Sequence, residues 1–84
     1  MNLYEVTNGY VGEGYVHVLV LASTAEEALR AAAIAFRHEN EERVRLLGAE
    51  HSYDETYWTG LRACLLHGNI DTTTWSATWT SKVR

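Results

Sequence analysis

The sequence predicts an α+β fold: a small four-stranded mixed sheet in β-β-α-β-α-β order, with one or two helices packed on one face. Three observations predict it. Residues 3–7 and 15–22 are rich in β-branched and aromatic side chains, residues 23–36 carry the apolar spacing of an amphipathic helix, and residues 72–83 alternate aromatic and hydroxyl side chains. A chain of 84 residues has room for one core, so we expect a single compact domain over residues 1–84.

The first strand and the turn after it are predicted from residue types. Residues 3–7 form a strand whose side chains alternate between two faces, and Asn8-Gly9 supplies turn residues. The glycines at 9, 12 and 14 have the spacing G-x-x-G-x-G, but a strand follows them and no lysine completes a phosphate-binding motif. We therefore expect a hairpin loop between the first two strands.

The second strand, residues 15–22, is apolar on both faces, which predicts an internal strand covered on two sides. His17 is the exception. A single histidine on an apolar strand is typical of a neutral, hydrogen-bonded core residue, and the alternative is a pH-sensitive group.

The first helix starts at one of two overlapping capping boxes, because Ser23 with Glu26 and Thr24 with Glu27 have the same spacing. One apolar stripe follows, and its alanines allow the helix to lie close to a sheet. The stripe consists of Ala25, Ala28, Leu29, Ala32, Ala33 and Phe36.

Ala31 and Ile34 lie on the opposite side of this helix. Scattered exposed apolar residues are normal on a protein surface. The alternative is that Ala31 and Ile34 form a self-association surface, as in a homodimer.

Residues 43–50 fit two structures. Val44 and Leu46 could face the core of a third strand, or the first helix could continue until Gly48 closes it. We favour the strand.

A second helix is predicted between residues 52 and 67. It opens with a capping-box spacing at residues 52–55 and ends before Gly68, a typical residue of helix C-termini. Gly60 in its middle predicts a short or kinked helix. Its apolar residues recur at helical spacing: Tyr53, Tyr57, Leu61 and Leu65.

The fourth strand is predicted at residues 72–83, with Trp75 and Trp79 on one face and hydroxyl side chains on the other. Helical connections between strands two, three and four predict right-handed crossovers. The two tryptophans belong either to the core or to an exposed aromatic surface. If both helices cover one sheet face, the other apolar face needs a partner.

Composition and charge argue against several classes of function. The net charge is −4, the single lysine is Lys82, and the basic residues are scattered, which disfavours binding to nucleic acid. No apolar run is long enough to span a membrane, and no signal peptide is evident. One cysteine cannot form an internal disulfide, which favours a cytoplasmic location.

No catalytic set or metal site is predicted. Cys64 and His67 have the spacing of a nucleophile and its base on a helix, but no orienting group or second pair of metal ligands accompanies them. Adjacent carboxylates such as Glu41 and Glu42 point about 100° apart on a helix and make no acid–base pair. We expect no enzyme activity and no cofactor.

Three segments resemble the strand–strand–helix start of small accessory proteins of phages and mobile genetic elements. They are LYEVTNG at residues 3–9, YVHVLV at 15–20 and STAEEAL at 23–29. Such proteins include inhibitors of host defence, for instance anti-CRISPR proteins. The resemblance implies a role in binding and blocking, and it identifies no site residue.

These observations favour a small cytoplasmic binding protein, such as a phage-encoded inhibitor, that covers the surface of a protein partner. One alternative is a homo-oligomer that sequesters a nucleotide-like molecule by stacking it on Tyr4, Trp75 and Trp79. Another is a minimal enzyme built on Cys64 and His67. The acidic stretch and two nearby aromatic residues are the predicted partner-binding residues: Glu39, Glu41, Glu42, Asp54, Glu55, Tyr57 and Trp58.

Overall fold

The hairpin and the start of the first helix lie where the sequence predicts them. The computed structural model describes residues 1–10 and 16–70. In chain order its elements are β1 (Asn2–Thr7), β2 (His17–Ala22), α1 (Ala25–Leu47), a 3-10 turn (Ala49–His51), α2 (Thr56–Thr59) and β3 (Arg62–His67). The predicted α+β class is confirmed as a three-stranded antiparallel sheet with one main helix.

β1 is the central strand of the described sheet, whose order is β2-β1-β3. Both neighbours run antiparallel to it: Thr7 pairs with His17 on one side and with Arg62 on the other. Between β1 and β2 the Asn8 N–H donates to the Val16 carbonyl at 3.3 Å. The predicted hairpin of the first two strands is therefore confirmed, and the described strands contain no parallel pair.

The sheet has one face toward α1 and one away from it. Tyr4 and Val6 of β1, with Val18 and Val20 of β2, are buried beneath the helix. On the other face His17 Nδ1 lies 2.8 Å from Glu5 Oε2, and both side chains are partly exposed. The prediction of a core histidine is wrong, because β2 lies at an edge of the described sheet and this face stays accessible.

α1 begins at the second of the two predicted caps. The hydroxyl of Thr24 accepts a hydrogen bond from the Glu27 N–H at 3.2 Å, and Glu27 Oε2 accepts one from the Ser23 N–H at 3.3 Å. Ala28, Ala32 and Phe36 of the predicted stripe are wholly buried. Alanine at two of these positions lets the helix backbone approach the sheet closely.

The predicted strand at residues 43–50 is wrong, because α1 continues to Leu47. The residues before Gly48 are good helix formers, and Arg45 reaches back one turn to Glu42. Gly48 adopts a φ of 105°, a value that favours glycine, and its N–H donates to the Val44 carbonyl. The alternation of apolar and polar residues in this segment therefore does not correspond to a strand.

The predicted second helix shrinks to one turn, Thr56–Thr59, and the rest of that segment becomes β3. Gly60 ends the turn, and its N–H donates to the Thr56 carbonyl at 2.9 Å. The chain then extends along the free side of β1, so Gly68 follows a strand and caps no helix. The order of the described elements is β-β-α-α-β, and the predicted fourth strand lies outside the described residues.

Aromatic side chains close the core between α1 and α2. Tyr57 and Phe36 are wholly buried, with ring centroids 5.7 Å apart. Tyr53 stacks on Tyr57 at 4.2 Å, and Tyr10 packs edge-on against the same ring at 4.9 Å. Of the described helices, none combines the length and the apolar character needed to cross a membrane.

Candidate interaction surface

α1 is longer than the sheet on which it packs. Its 23 residues span about 34 Å, whereas a strand of six residues spans about 20 Å. α1 starts where β2 ends and runs back over the sheet, so its last turns extend past the strands. We call residues 39–55, which comprise these turns and the loop after them, the far end.

Two leucines at the far end point along the buried side of α1 but are exposed. Leu46 follows Ala28 by about five full helical turns, and Leu47 follows Phe36 by about three. Ala28 and Phe36 are wholly buried, whereas Leu46 is 69% and Leu47 52% exposed. Glu39, Asn40 and Arg43 interrupt the apolar stripe after Phe36, and Leu46 and Leu47 resume its direction in the last turn of the helix.

Side-chain hydrogen bonds hold the loop of the far end against α1. The buried Asn40 donates through Nδ2 to Ser52 Oγ at 3.1 Å and accepts from the Tyr53 N–H at 2.8 Å. Arg43 donates through Nε to the His51 carbonyl at 2.7 Å, and its guanidinium lies 4.5 Å from the centre of the Tyr53 ring. Asp54 and Glu55, which follow directly, therefore belong to the same end of the molecule as Leu46.

The acidic residues surround the far end and do not form one flat patch. Glu39 and Glu41 are two residues apart at about 100° per residue, so they point to nearly opposite sides of the helix. Glu39 is half-buried, whereas Glu41, Asp54 and Glu55 are exposed.

Glu42 differs from the other predicted acidic residues because it is tightly paired with a base. Both oxygens of its carboxylate accept hydrogen bonds from Arg45, at 2.9 Å each. These hydrogen bonds lower the pKa of Glu42 and raise the pKa of Arg45. Glu42 therefore contributes less free negative charge to the surface than its exposed neighbours.

The two aromatic residues among the predicted partner contacts belong to the core. Tyr57 is wholly buried, and its carbonyl accepts a hydrogen bond from Asn8 Nδ2 at 3.4 Å. Trp58 is half-buried and packs against the core cluster. The ring of Tyr57 is therefore not accessible on the surface of the folded chain.

Of the three residues predicted to stack a ligand, Tyr4 is the one that the structure describes. Tyr4 is buried under α1, and its hydroxyl accepts from Asn2 Nδ2 at 3.3 Å, so the ring offers no open face. Trp75 and Trp79 lie outside the described residues. Ala31 and Ile34 are exposed on the solvent side of α1, with Ile34 at 72%, and they remain predicted as a self-association surface.

Cys64 and His67 do not lie on a helix as predicted. Both are on β3, where Leu66 is an extra residue opposite the step from Leu3 to Tyr4 of β1 and shifts the register between Cys64 and His67. His67 Nδ1 donates to the Gly68 carbonyl at 2.9 Å, which directs the ring toward the end of the strand. Within residues 1–10 and 16–70, no three His, Cys, Asp or Glu side chains come close enough to hold a metal ion.

Sequence reasoning missed the exposed apolar residues that the structure reveals. Leu46 and Leu47 fall in a predicted strand, and Leu65 falls in a predicted helix. The signal that identifies the first pair is their phase, since both point in the direction of the apolar stripe of α1. No local signal identifies Leu65 and Leu66 as exposed, because their exposure depends on the pairing of β3 with β1.

Comparison with known proteins adds no relative. No protein-family model, curated protein or solved structure matches this chain. The function is therefore inferred from the residues and the geometry of the chain itself.

Proposed function

We propose that this protein is a non-catalytic binding module that covers a surface of a protein partner with its far end. One observation carries the proposal: Leu46 and Leu47 lie on the core-facing side of α1 and are nevertheless exposed. Adjacent exposed leucines at the end of a rigid helix are a costly arrangement in water and a useful one in an interface.

The charges around the two leucines indicate the chemistry of the partner. Glu41, Glu50, Asp54 and Glu55 are exposed at the far end, and Arg45 is occupied by Glu42. A partner that fits has an apolar patch flanked by lysine or arginine, because opposite charges at the rim speed association and fix orientation. A phage-encoded inhibitor that blocks a host protein is one instance, and it rests on the resemblance of residues 3–29.

The two alternatives have less support. The nucleotide-stacking site would use Tyr4, whose ring is buried. The Cys64–His67 enzyme would need a hydrogen bond from the thiol to the imidazole, whereas the Cys64 thiol lies 3.9 Å from the Leu65 carbonyl as a donor. No observation supports either alternative as the exposed leucines support the binding module.

The proposal is tested by comparing Leu46 with Ile34, which are aliphatic residues of similar exposure on different sides of α1. A photo-reactive amino acid is placed at one position or the other, and each protein is irradiated in lysate of its producing cells. We expect position 46 to cross-link a specific protein and position 34 to cross-link none. The dissociation constant of that complex is then measured for Leu46→Glu and Ile34→Glu.

We expect Leu46→Glu to weaken binding at least tenfold, because it places a carboxylate in an apolar contact. Ile34→Glu, which changes the charge by the same amount, should leave affinity within about twofold. Equal effects at the two positions would contradict the assignment to the far end. Cross-linking at position 34 alone would move the site to the solvent side of α1.

A further inference from the structure

The outer edge of β3 is unpaired within the described part of the chain. β3 hydrogen-bonds to β1 on one side only, and it is an end strand of the β2-β1-β3 sheet. All of its residues except Ala63 are exposed; Leu65 is 55% and Leu66 49% exposed. A row of unpaired N–H and C=O groups along such an edge is a template for another strand.

Features that usually protect an edge occur only at the two ends of β3, where Arg62 carries a charge and Leu66 forms a bulge, and its middle lacks them. Between Arg62 and His67 the residues are Ala63, Cys64, Leu65 and Leu66, with no charge and no proline. The other edge strand, β2, differs because Val18, Val20 and Ala22 are buried under α1. β3 is therefore the edge whose side chains as well as backbone are accessible.

We propose that a second copy of this chain adds its own β3 at this edge, antiparallel, to form a continuous six-stranded sheet. A twofold axis perpendicular to the sheet keeps both copies of α1 on the same face. Residues that pair across the axis must then share a face. Several registers satisfy this condition, and the one proposed here is centred on Cys64, which places Cys64 opposite Cys64 of the second copy and Ala63 opposite Leu65.

This register is sterically and electrostatically self-complementary. A small side chain, Ala63, faces a large one, Leu65, on the helix side of the sheet. The two Arg62 residues lie four residues apart along the paired strands, or about 13 Å, which exceeds the Debye length of about 8 Å at physiological ionic strength. The acidic far ends of the two copies point to opposite ends of the six-stranded sheet, so they do not repel each other across the contact.

The size of the contact predicts a weak dimer. One strand edge of six residues is about 20 Å long, and it covers less than the roughly 800 Å² per partner of a standard stable interface. We therefore expect a reversible equilibrium between monomer and dimer that depends on protein concentration. The inference is independent of the proposed function, because β3 contributes no residue to the far end.

Oxidative cross-linking of the full-length protein tests the register, since Cys64 is the only cysteine in the chain and is exposed. Diamide takes up the two hydrogens of two thiols as their sulfurs join, so a Cys64–Cys64 disulfide forms without any other reactant. The control is the double variant Cys64→Ser/Ile34→Cys, which moves the single thiol to an exposed position on α1. Sedimentation equilibrium of the reduced wild type over a wide concentration range measures the non-covalent dimer.

We expect the wild type to form the disulfide dimer at least ten times faster than the control, and the reduced protein to dimerise reversibly. Leu65→Lys should weaken that dimer at least tenfold while leaving the circular dichroism unchanged, because Leu65 is exposed. Faster cross-linking of the control variant than of the wild type would assign the contact to Ala31 and Ile34 and overturn the proposal. A monomer at every concentration would also overturn it, and slow amide exchange along β3 in that monomer would show that the chain covers this edge itself.

Discussion

The two halves of α1 differ in the residues on their core-facing side and in the surroundings of that side. In the first half Ala28, Ala32 and Phe36 are wholly buried against the sheet. In the second half the same side carries polar residues until Leu46 and Leu47 resume the apolar direction, and both leucines are exposed. Helical periodicity therefore predicts the direction of a side chain, but the reach of the sheet decides whether that direction leads to a core or to a surface.

Two alanine substitutions test this contrast, and one of them has the largest expected effect on the free energy of unfolding. Phe36 and Leu47 point in the same direction, about three turns apart. Phe36→Ala should lower the free energy of unfolding by about 3–5 kcal/mol, because it leaves a cavity beside Tyr57. Leu47→Ala should lower it by less than about 0.5 kcal/mol, because the side chain is mostly in water. Urea unfolding followed by circular dichroism measures both.

A comparable loss in both variants would show that Leu47 is covered in solution. Repeating the Leu47→Ala measurement at low and high protein concentration separates cover by a second copy from cover within one chain. A loss that grows with concentration would identify the far end as a self-association surface and contradict its assignment to a different protein partner.

The loop of the far end covers one side of the second half of α1, and Asn40 holds this loop against the helix through hydrogen bonds. Asn40→Ala removes the acceptor of the Tyr53 N–H and the donor to Ser52 Oγ. We expect a loss of about 1–3 kcal/mol in the free energy of unfolding, because a backbone N–H is left unsatisfied in a half-buried site. The matched control is Glu41→Ala, the exposed next residue, with an expected change within about 0.5 kcal/mol.

Amide exchange at Tyr53 sharpens the Asn40 experiment. If the hydrogen bond holds the loop, the exchange rate of the Tyr53 amide rises in Asn40→Ala before global unfolding, while the amides of β1 keep theirs. An unchanged rate would mean that the Arg43 contacts and the Tyr53–Tyr57 stacking fix the loop without Asn40.

The parts of the fold that the sequence predicts are those decided by nearby residues. The β1–β2 hairpin and the start of α1 follow from turn residues, alternation and a cap within a few positions of one another. The prediction for the end of α1 is wrong because Val44 and Leu46 alternate with arginines, a spacing that strands also show. In the structure these residues continue α1 to Leu47, and Gly48 with its φ of 105° follows the end of the helix.

β3 could not be predicted, for a different reason. Tyr57, Leu61 and Leu65 recur every fourth residue, which fits a helix, but Gly60 ends the turn and β1 offers a free edge in register. Pairing with a strand more than fifty residues earlier in the chain is a non-local event that no local window contains. The candidate site could be predicted in part: the acidic stretch does lie at the far end, whereas the leucines that give it an apolar centre depend on the overall fold.

The prediction with the smallest expected effect compares Glu42, whose carboxylate is held by Arg45, with the neighbouring Glu41 at the far end. The hydrogen bonds from Arg45 lower the pKa of Glu42 in the folded protein, so the pair stabilises the fold above the ordinary pKa of glutamate. This stabilisation is lost as the pH falls through the folded pKa, where Glu42 takes up a proton. We expect Glu42→Gln to melt slightly below the wild type at neutral pH and together with it in acid. The matched control at neutral pH is Glu41→Gln, which removes one charge from the neighbouring residue and no described ion pair. A gap for Glu42→Gln that persists in acid would mean that the pair stabilises the helix without its charge.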